Sequence, residues 1–455
     1  MAHPKWGKRA AVSFDCGVTQ PPGGEKNMAL YPPPADSSFN IGEGSSFPDP
    51  AIMETGHVSV EAYTSDERFE LERELFGKVW LNVGRAQQIP NAGDWMVEDI
   101  ECRSASAIIV RGKDMKIRAF HNICSHRGMK LVWDKKGRGG KFACPYHAWM
   151  YDSAGDLTNV PDEACFPHVN KKESGLAPIH CDVWEGFIFI NLDPNPAQTL
   201  KEFLGPLGER LAGAPFDNFT RTCTLSQDVV GNWKLGIEAS MEGYHVQALH
   251  MQTVGGMLAS KSNPHVNFLA WEPLGPHRTA TIPCNPEYRV PERRVVQRFA
   301  SQHGPQFMVE GGLQGDIGGA FLSHPAINRL QSPFFSNDQF NLFPTVSIHI
   351  SLNGYWTTSY WPITKERSRW RSTFYYTKPK SLREEFSINH AVALQRDIFA
   401  EDNSCFQKQQ AMLASGAKPF IQFGEGEILL RHQIAVIEGI DSNRKDERRY
   451  ALAAE

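Results

Sequence analysis

No run of about 18 apolar residues occurs in the 455-residue chain, so a membrane-spanning helix is not expected. The first thirty residues hold Lys5, Lys8 and Arg9 but no apolar stretch of signal-peptide length, which argues against export. Nine cysteines are too few for a disulfide scaffold, and an odd number would leave one over, so a reducing, cytoplasmic setting is expected. Neither sign of charge dominates: the net charge is −4, which excludes a strongly basic nucleic-acid binder. Neither G-x-G-x-x-G nor G-x-x-x-x-G-K-[ST] is present, so no nucleotide is expected on a Gly-rich loop of this chain. No internal repeat is seen.

What is present divides into four stretches. Residues 1–54 are rich in Pro and Gly and read as an extended arm, with no function that their residues define. Residues 55–78 hold a short amphipathic helix behind a Ser65 cap, with Phe69, Leu71, Leu75 and Phe76 on its apolar face. Residues 79–193 alternate in short strands, such as Ala107–Val110, Ile117–Phe120 and Gly186–Ile190, and read as a small all-β module. In residues 194–455, helical patterns run from Pro194 to Leu211, from Asn232 to His250 and from Leu382 to Ala414. They flank a β-rich segment with strands at Phe343–Ile350, Trp356–Ile363 and Trp370–Tyr376. Strands and helices without regular βα alternation predict an α+β domain.

Two Cys-His pairs stand in the β module: Cys124-Ser-His126 and, after seventeen residues, Cys144-Pro-Tyr-His147. Two Cys and two His could hold one Zn²⁺, yet a single-residue gap makes it awkward for both side chains of one arm to reach one metal. The strain relaxes if each arm gives its thiolate to one iron and its imidazole to another, as in a Rieske [2Fe–2S] centre. Neutral His ligands raise the reduction potential of such a cluster, which suits electron relay.

The string His121-Asn-Ile-Cys-Ser-His-Arg-Gly128, with Cys144-Pro-Tyr-His-Ala-Trp149, Tyr151, Gly155, Leu157 and Pro161, resembles the Rieske module of the large (α) subunits of Rieske non-haem iron oxygenases. One departure is Ala148, where that family usually carries Gly. Further on, Asn232-Trp-Lys-Leu-Gly-Ile-Glu238-Ala-Ser-Met-Glu242-Gly-Tyr-His245-Val-Gln-Ala-Leu-His250 resembles the family's mononuclear-iron helix, with Ala239 in place of the usual Asn. Glu242 and His245, three apart, would share a helical face, while His250 would need a break to converge with His245. The resemblance extends to Ala400-Glu-Asp402, where Asp402 matches the carboxylate that completes a facial triad with two His; Asp397 and Glu401 are its neighbours and rivals.

From about Thr55 to Ala414 the resemblance implies a Rieske module followed by a helix-grip-like catalytic domain, an antiparallel sheet flanked by helices. It implies a [2Fe–2S] cluster on Cys124, His126, Cys144 and His147, and Fe(II) on His245, His250 and Asp402, with O₂ as co-substrate. Glu242 would bridge a cluster His of one subunit to His245 of the next, in a head-to-tail ring such as a homotrimer with or without a β subunit. A separate reductase or ferredoxin would supply electrons, carrying the NAD(P)H and flavin chemistry. The apolar residues Phe321, Phe334, Phe335, Phe340, Leu342, Phe343, Val346, Ile348 and Ile350 suggest hydroxylation or dihydroxylation of an apolar, aromatic substrate. The alternative is monooxygenation or demethylation of a quaternary-amine or methoxy/N-methyl substrate. Trp356, Trp361 and Trp370 would then cage a methylammonium, and the Glu242 spacing resembles the quaternary-amine branch. Glycines at 311, 312, 315, 318 and 319 read as a lid or a plain loop.

Overall fold

The structure, a computed structural model, describes residues 56–303 and 319–442. The arm at 1–54 and most of the Gly-rich stretch at 311–319 lie outside the described residues. Among those described, no helix is long and apolar enough to cross a membrane.

The β module is a seven-stranded sheet in the order Leu81–Arg85, Phe187–Asn191, Pro178–Trp184, Ile117–His121, Ala105–Arg111, Asp94–Ile100 and Lys136–Arg138. A three-stranded sheet of Lys141–Ala143, Met150–Asp152 and Leu157–Asn159 caps one end. Phe120, Leu131, Phe142, Trp149, Tyr151 and Leu157 form a small core of their own at that end, with Cys124 and Cys144 inside it.

The second part is an antiparallel sheet of seven strands in the order Arg221–Val230, Arg367–Tyr376, Gly354–Thr364, Val346–Ile350, Phe335–Leu342, His277–Pro283 and Ala270–Leu274. The longest helix, Leu382–Leu413, starts at Ser381, whose side chain accepts from the Glu384 amide. It lies against the sheet through Phe399 on Trp370 and Phe406 on Tyr360. The helix Trp233–Ala239 packs on the same face, where a Cβ on Gly236 would meet the Tyr360 ring at 2.3 Å; only glycine permits that approach. The short helix Asp66–Phe76, capped by Ser65, joins the catalytic part through Glu72, which accepts from Trp233 Nε1 at 2.7 Å and pairs with buried Lys234. The two parts also meet in a bidentate pair, Arg371 to Glu98 at 2.8 and 3.0 Å.

The interior strands show why the second sheet has two different sides. The registers Arg278↔Asn341, Gln339↔His349, His349↔Trp356, Ser347↔Thr358 and Tyr360↔Trp370 put these residues on the face that carries the helices. Phe340, Leu342, Val346, Ile348, Ile350 and Tyr355 point the other way, where Tyr355 packs among Phe187, Phe216, Phe219 and Phe321.

Two expectations are corrected here. Residues 232–250 are not one helical stretch: helices Trp233–Ala239 and Val246–Leu249 are separated by a break at 240–245, so Glu242 and His245 share a turn rather than a helical face. The tryptophan cage does not form either, because Trp361 lies on the face opposite to Trp356 and Trp370 and packs by Phe76.

Candidate metal centres

Both Cys-His arms sit on tight loops at one end of the β module. In the first, the Cys124 amide donates to Met129 O and the Gly128 amide to Cys124 O, with Gly128 at φ 71°. The second repeats the design: the Cys144 amide donates to Trp149 O, the Ala148 amide to Cys144 O, and Ala148 stands at φ 54°. The departure from Gly at 148 thus falls on a left-handed position. Cys124 and Cys144 are buried and free of disulfides, and the His126 and His147 rings are 4.6 Å apart, His126 stacked on Trp149. Tyr151 OH lies 3.3 Å from Cys124 Sγ and accepts from the Ser125 amide. Burial pushes the Cys124 thiol up, against the Tyr151 contact.

The donor chemistry fits the cluster. His126 Nδ1 and His147 Nδ1 are both buried without a hydrogen-bond partner, beside two buried sulfurs. Two orphaned imidazole nitrogens in one place are costly unless a metal takes their lone pairs.

The second site joins the 240–250 segment to the helix Leu382–Leu413. His245 Nε2 and His250 Nε2 lie 3.2 Å apart, and Asp402 Oδ1 is 3.1 Å from the latter and 3.7 Å from the former. Each imidazole has its other nitrogen on a carboxylate: His245 Nδ1 contacts Glu242 Oε1, and His250 Nδ1 is 2.7 Å from Glu401 Oε2. With both Nδ1–H groups donating outward, two Nε2 lone pairs and a buried carboxylate oxygen face one point, which only a cation reconciles. Asp402 Oδ1 accordingly has no hydrogen-bond partner, and His245, His250 and Asp402 are the one His/Cys/Asp/Glu group among the described residues with converging ligand atoms. Burial disfavours charge on His250, but Asp402 and Glu401 outweigh it and hold its pKa above the usual value.

Of the rivals to Asp402, Asp397 is exposed and pairs with Arg396, while Glu401 belongs to the outer shell, also accepting from Thr253 Oγ1 at 2.7 Å. That role of Glu401 was not foreseen; its adjacency to Asp402 was the available signal. Asn403, next along, accepts from Tyr360 OH at 3.1 Å and ties the ligand helix to the sheet. Ala239 ends its helix beside Ser240, whose hydroxyl accepts from Gln339 Nε2.

Two family models match: a Rieske [2Fe-2S] domain over residues 79–172, and the catalytic domain of the ring hydroxylating alpha subunit over residues 216–438. The glycine betaine monooxygenase oxygenase subunit of Pseudomonas aeruginosa is 32% identical over 197 residues, 43% of this chain and 45% of that protein. The anthranilate 1,2-dioxygenase large subunit of Acinetobacter baylyi is 33% identical over 205 residues, 43% of each chain. The match thus spans less than half the length of these curated relatives. A solved quaternary ammonium Rieske monooxygenase superposes with a TM-score of 0.67 at 19% identity, covering 87% of this chain and 97% of that one, a likeness of fold.

Proposed function

Because the chain belongs to the Rieske non-haem iron terminal oxygenases, as a large subunit of the ring-hydroxylating family, we propose that it oxidises a methylammonium substrate with O₂ and electrons from a separate reductase or ferredoxin. The observation that carries the choice of substrate is the sheet face behind the triad. Gln339, Asn341, Ser347, His349 and Thr358 are all buried there, a lining suited to a polar molecule. The apolar residues that favoured an aromatic hydrocarbon lie mostly on the opposite face, in the core. The similarity to a glycine betaine monooxygenase favours the same reading over the aromatic one.

Held by His245, His250 and Asp402, Fe(II) would supply O₂ activation with coordination positions left open, and the cluster on Cys124, His126, Cys144 and His147 would supply single electrons. The residues of the chain do the positioning. Glu242 and Glu401 accept hydrogen bonds from the two Nδ1–H groups and fix the tautomers, so that both Nε2 atoms point at one site. Asp402 offers a short carboxylate arm held in place by the Asn403–Tyr360 bond beside it. Glu242 also lies near the surface, with 11% of its side chain exposed beside exposed Tyr244, where a neighbouring subunit's module could contact it in a closed ring.

In overall balance, one N-methyl group, O₂, two electrons and two protons give the tertiary ammonium ion, formaldehyde and water. The test is formaldehyde release from glycine betaine or carnitine by the iron-loaded protein with a chemical or enzymatic electron donor. Formaldehyde in step with substrate consumption supports the reading; an arene diol without it overturns the choice of substrate.

A further inference from the structure

The helix-bearing face of the sheet holds an arginine with no counter-ion. Arg278 is buried to 1% exposure, and among the described residues its side-chain hydrogen-bond partners are Met241 and Gln433, neither of them a carboxylate. Its Nε donates to Met241 Sδ, its Nη2 to Gln433 Oε1, and its Nη1 has no partner. The acid that acts on it electrostatically is Glu238, but that carboxyl makes no ion pair with the guanidinium and accepts instead from Tyr63 OH at 3.0 Å. A buried guanidinium without a balancing charge is costly, and such groups normally face an anion.

A second open donor stands across the sheet. Asn341 pairs with Arg278 in the register, on the same face. Its Oδ1 accepts from Gln339 Nε2 at 3.1 Å and from Ser347 Oγ, which fixes the orientation of the amide and leaves Nδ2 without an acceptor. Gln433 Nε2, beside the guanidinium, is also unpartnered. Arg278 touches the 240–245 segment directly through Met241, Asn341 reaches it through Gln339, which donates to Ser240, and Gln433 reaches it through Arg278; that segment carries Glu242 and His245.

We propose that Arg278, Asn341 and Gln433 form a carboxylate-binding subsite that anchors the far end of the substrate while its reacting group lies at the triad. The substrate is then an amphipathic carboxylate rather than a hydrocarbon or a simple cation. This rests on the oxygenase reading above but not on the methylammonium part of it.

The test is anaerobic calorimetric titration of the protein loaded with cluster and iron, using four probes: glycine betaine, benzoate, tetramethylammonium and biphenyl. Asn341→Asp is nearly isosteric and places a negative charge opposite Arg278. It should weaken carboxylate probes by about ten- to a hundredfold, leave tetramethylammonium unchanged and melt no lower than the parent. Arg278→Gln should weaken the same probes; its visible cluster spectrum shows whether it has folded, and Asn341→Asp carries the test if it has not. Benzoate binding that Asn341→Asp abolishes, with neither ammonium probe bound, supports the anchor and overturns the methylammonium reading. Carboxylate affinity unchanged in Asn341→Asp, or no carboxylate bound at all, overturns the anchor, and tetramethylammonium binding in that case leaves the methylammonium reading intact.

Discussion

The four proposed cluster ligands come from two loops of one small β module, whereas the proposed iron triad joins a segment at 240–250 to a helix position more than 150 residues further on. The difference extends to how each imidazole is aimed. At the cluster end, His126 is stacked on Trp149 and His147 lies against Tyr146, so aromatic packing holds the rings. At the triad, each His is held by a carboxylate, Glu242 or Glu401, on a backbone that is a broken helix. A site written into local loops needs only its module; a site assembled across the fold needs outer groups to restore precision.

Removing a ligand from each site tests their independence most severely. Asp402→Ala should abolish product formation and lower iron from three to two atoms per chain, with the rhombic signal of the reduced cluster unchanged. Cys144→Ser should do the reverse: it empties the cluster, loosens the small core around Trp149 and Tyr151, and leaves one iron per chain. Iron and acid-labile sulfide analysis with EPR reads both, and loss of both sites in either variant would show that they are not independent.

Next in size come the orienting carboxylates. Glu401→Ala and Glu242→Ala should each weaken Fe(II) binding about ten- to a hundredfold, measured against a chromophoric chelator, with the cluster spectrum intact. Glu401→Gln, which still offers an amide oxygen to His250 Nδ1, should recover part of that affinity. If Glu401→Ala binds iron as tightly as the parent, packing rather than the carboxylate aims His250.

How much of this was legible in the sequence follows the same division. The Cys-x-His and Cys-x-x-His spacings, the Ser65 cap, the strands expected at Trp356–Ile363 and Trp370–Tyr376 and the helix from Leu382 all depend on neighbours in the chain, and the structure has them close to where the pattern puts them. A break was legible, but not its position at 240–245, ahead of His245, because Ser240 and Met241 are held by Gln339 and Arg278 from distant strands. Nor was the polarity of the helix-bearing sheet face. Strand Phe335–Leu342 is buried on both faces, so its alternation of Asn, Gln and Asn with Asp, Phe and Leu does not tell from sequence which side meets the metal.

The contact between the two regions can be tested at Arg371, which makes the bidentate pair with Glu98 across the module boundary. Arg371→Met leaves Glu98, largely buried, without its partner and should cost about 1–3 kcal/mol. Urea denaturation followed by cluster absorbance and by far-ultraviolet circular dichroism reads it. If the two probes coincide in the parent and separate in the variant, this pair couples the module to the catalytic part; if they stay together, the apolar core shared through Phe187, Phe216 and Tyr355 does so.

The smallest expected effect concerns the two cluster loops themselves, which share a backbone turn but carry different residues at its left-handed position. Both turn through a left-handed position just past the ligand pair, Gly128 at φ 71° in one and Ala148 at φ 54° in the other. An L-residue with a Cβ pays about 1 kcal/mol there, a cost that glycine does not carry, set against the chain entropy that glycine loses on folding. Ala148→Gly should therefore stabilise the module slightly, by about 0.5–1 kcal/mol, while Gly128→Ala should cost about 1 kcal/mol or somewhat more. Thermal loss of cluster absorbance measures both. Equal and opposite shifts would mean that the loops are interchangeable in geometry. A destabilised Ala148→Gly would mean that the Ala148 methyl contributes packing to the His147 loop that outweighs its strain.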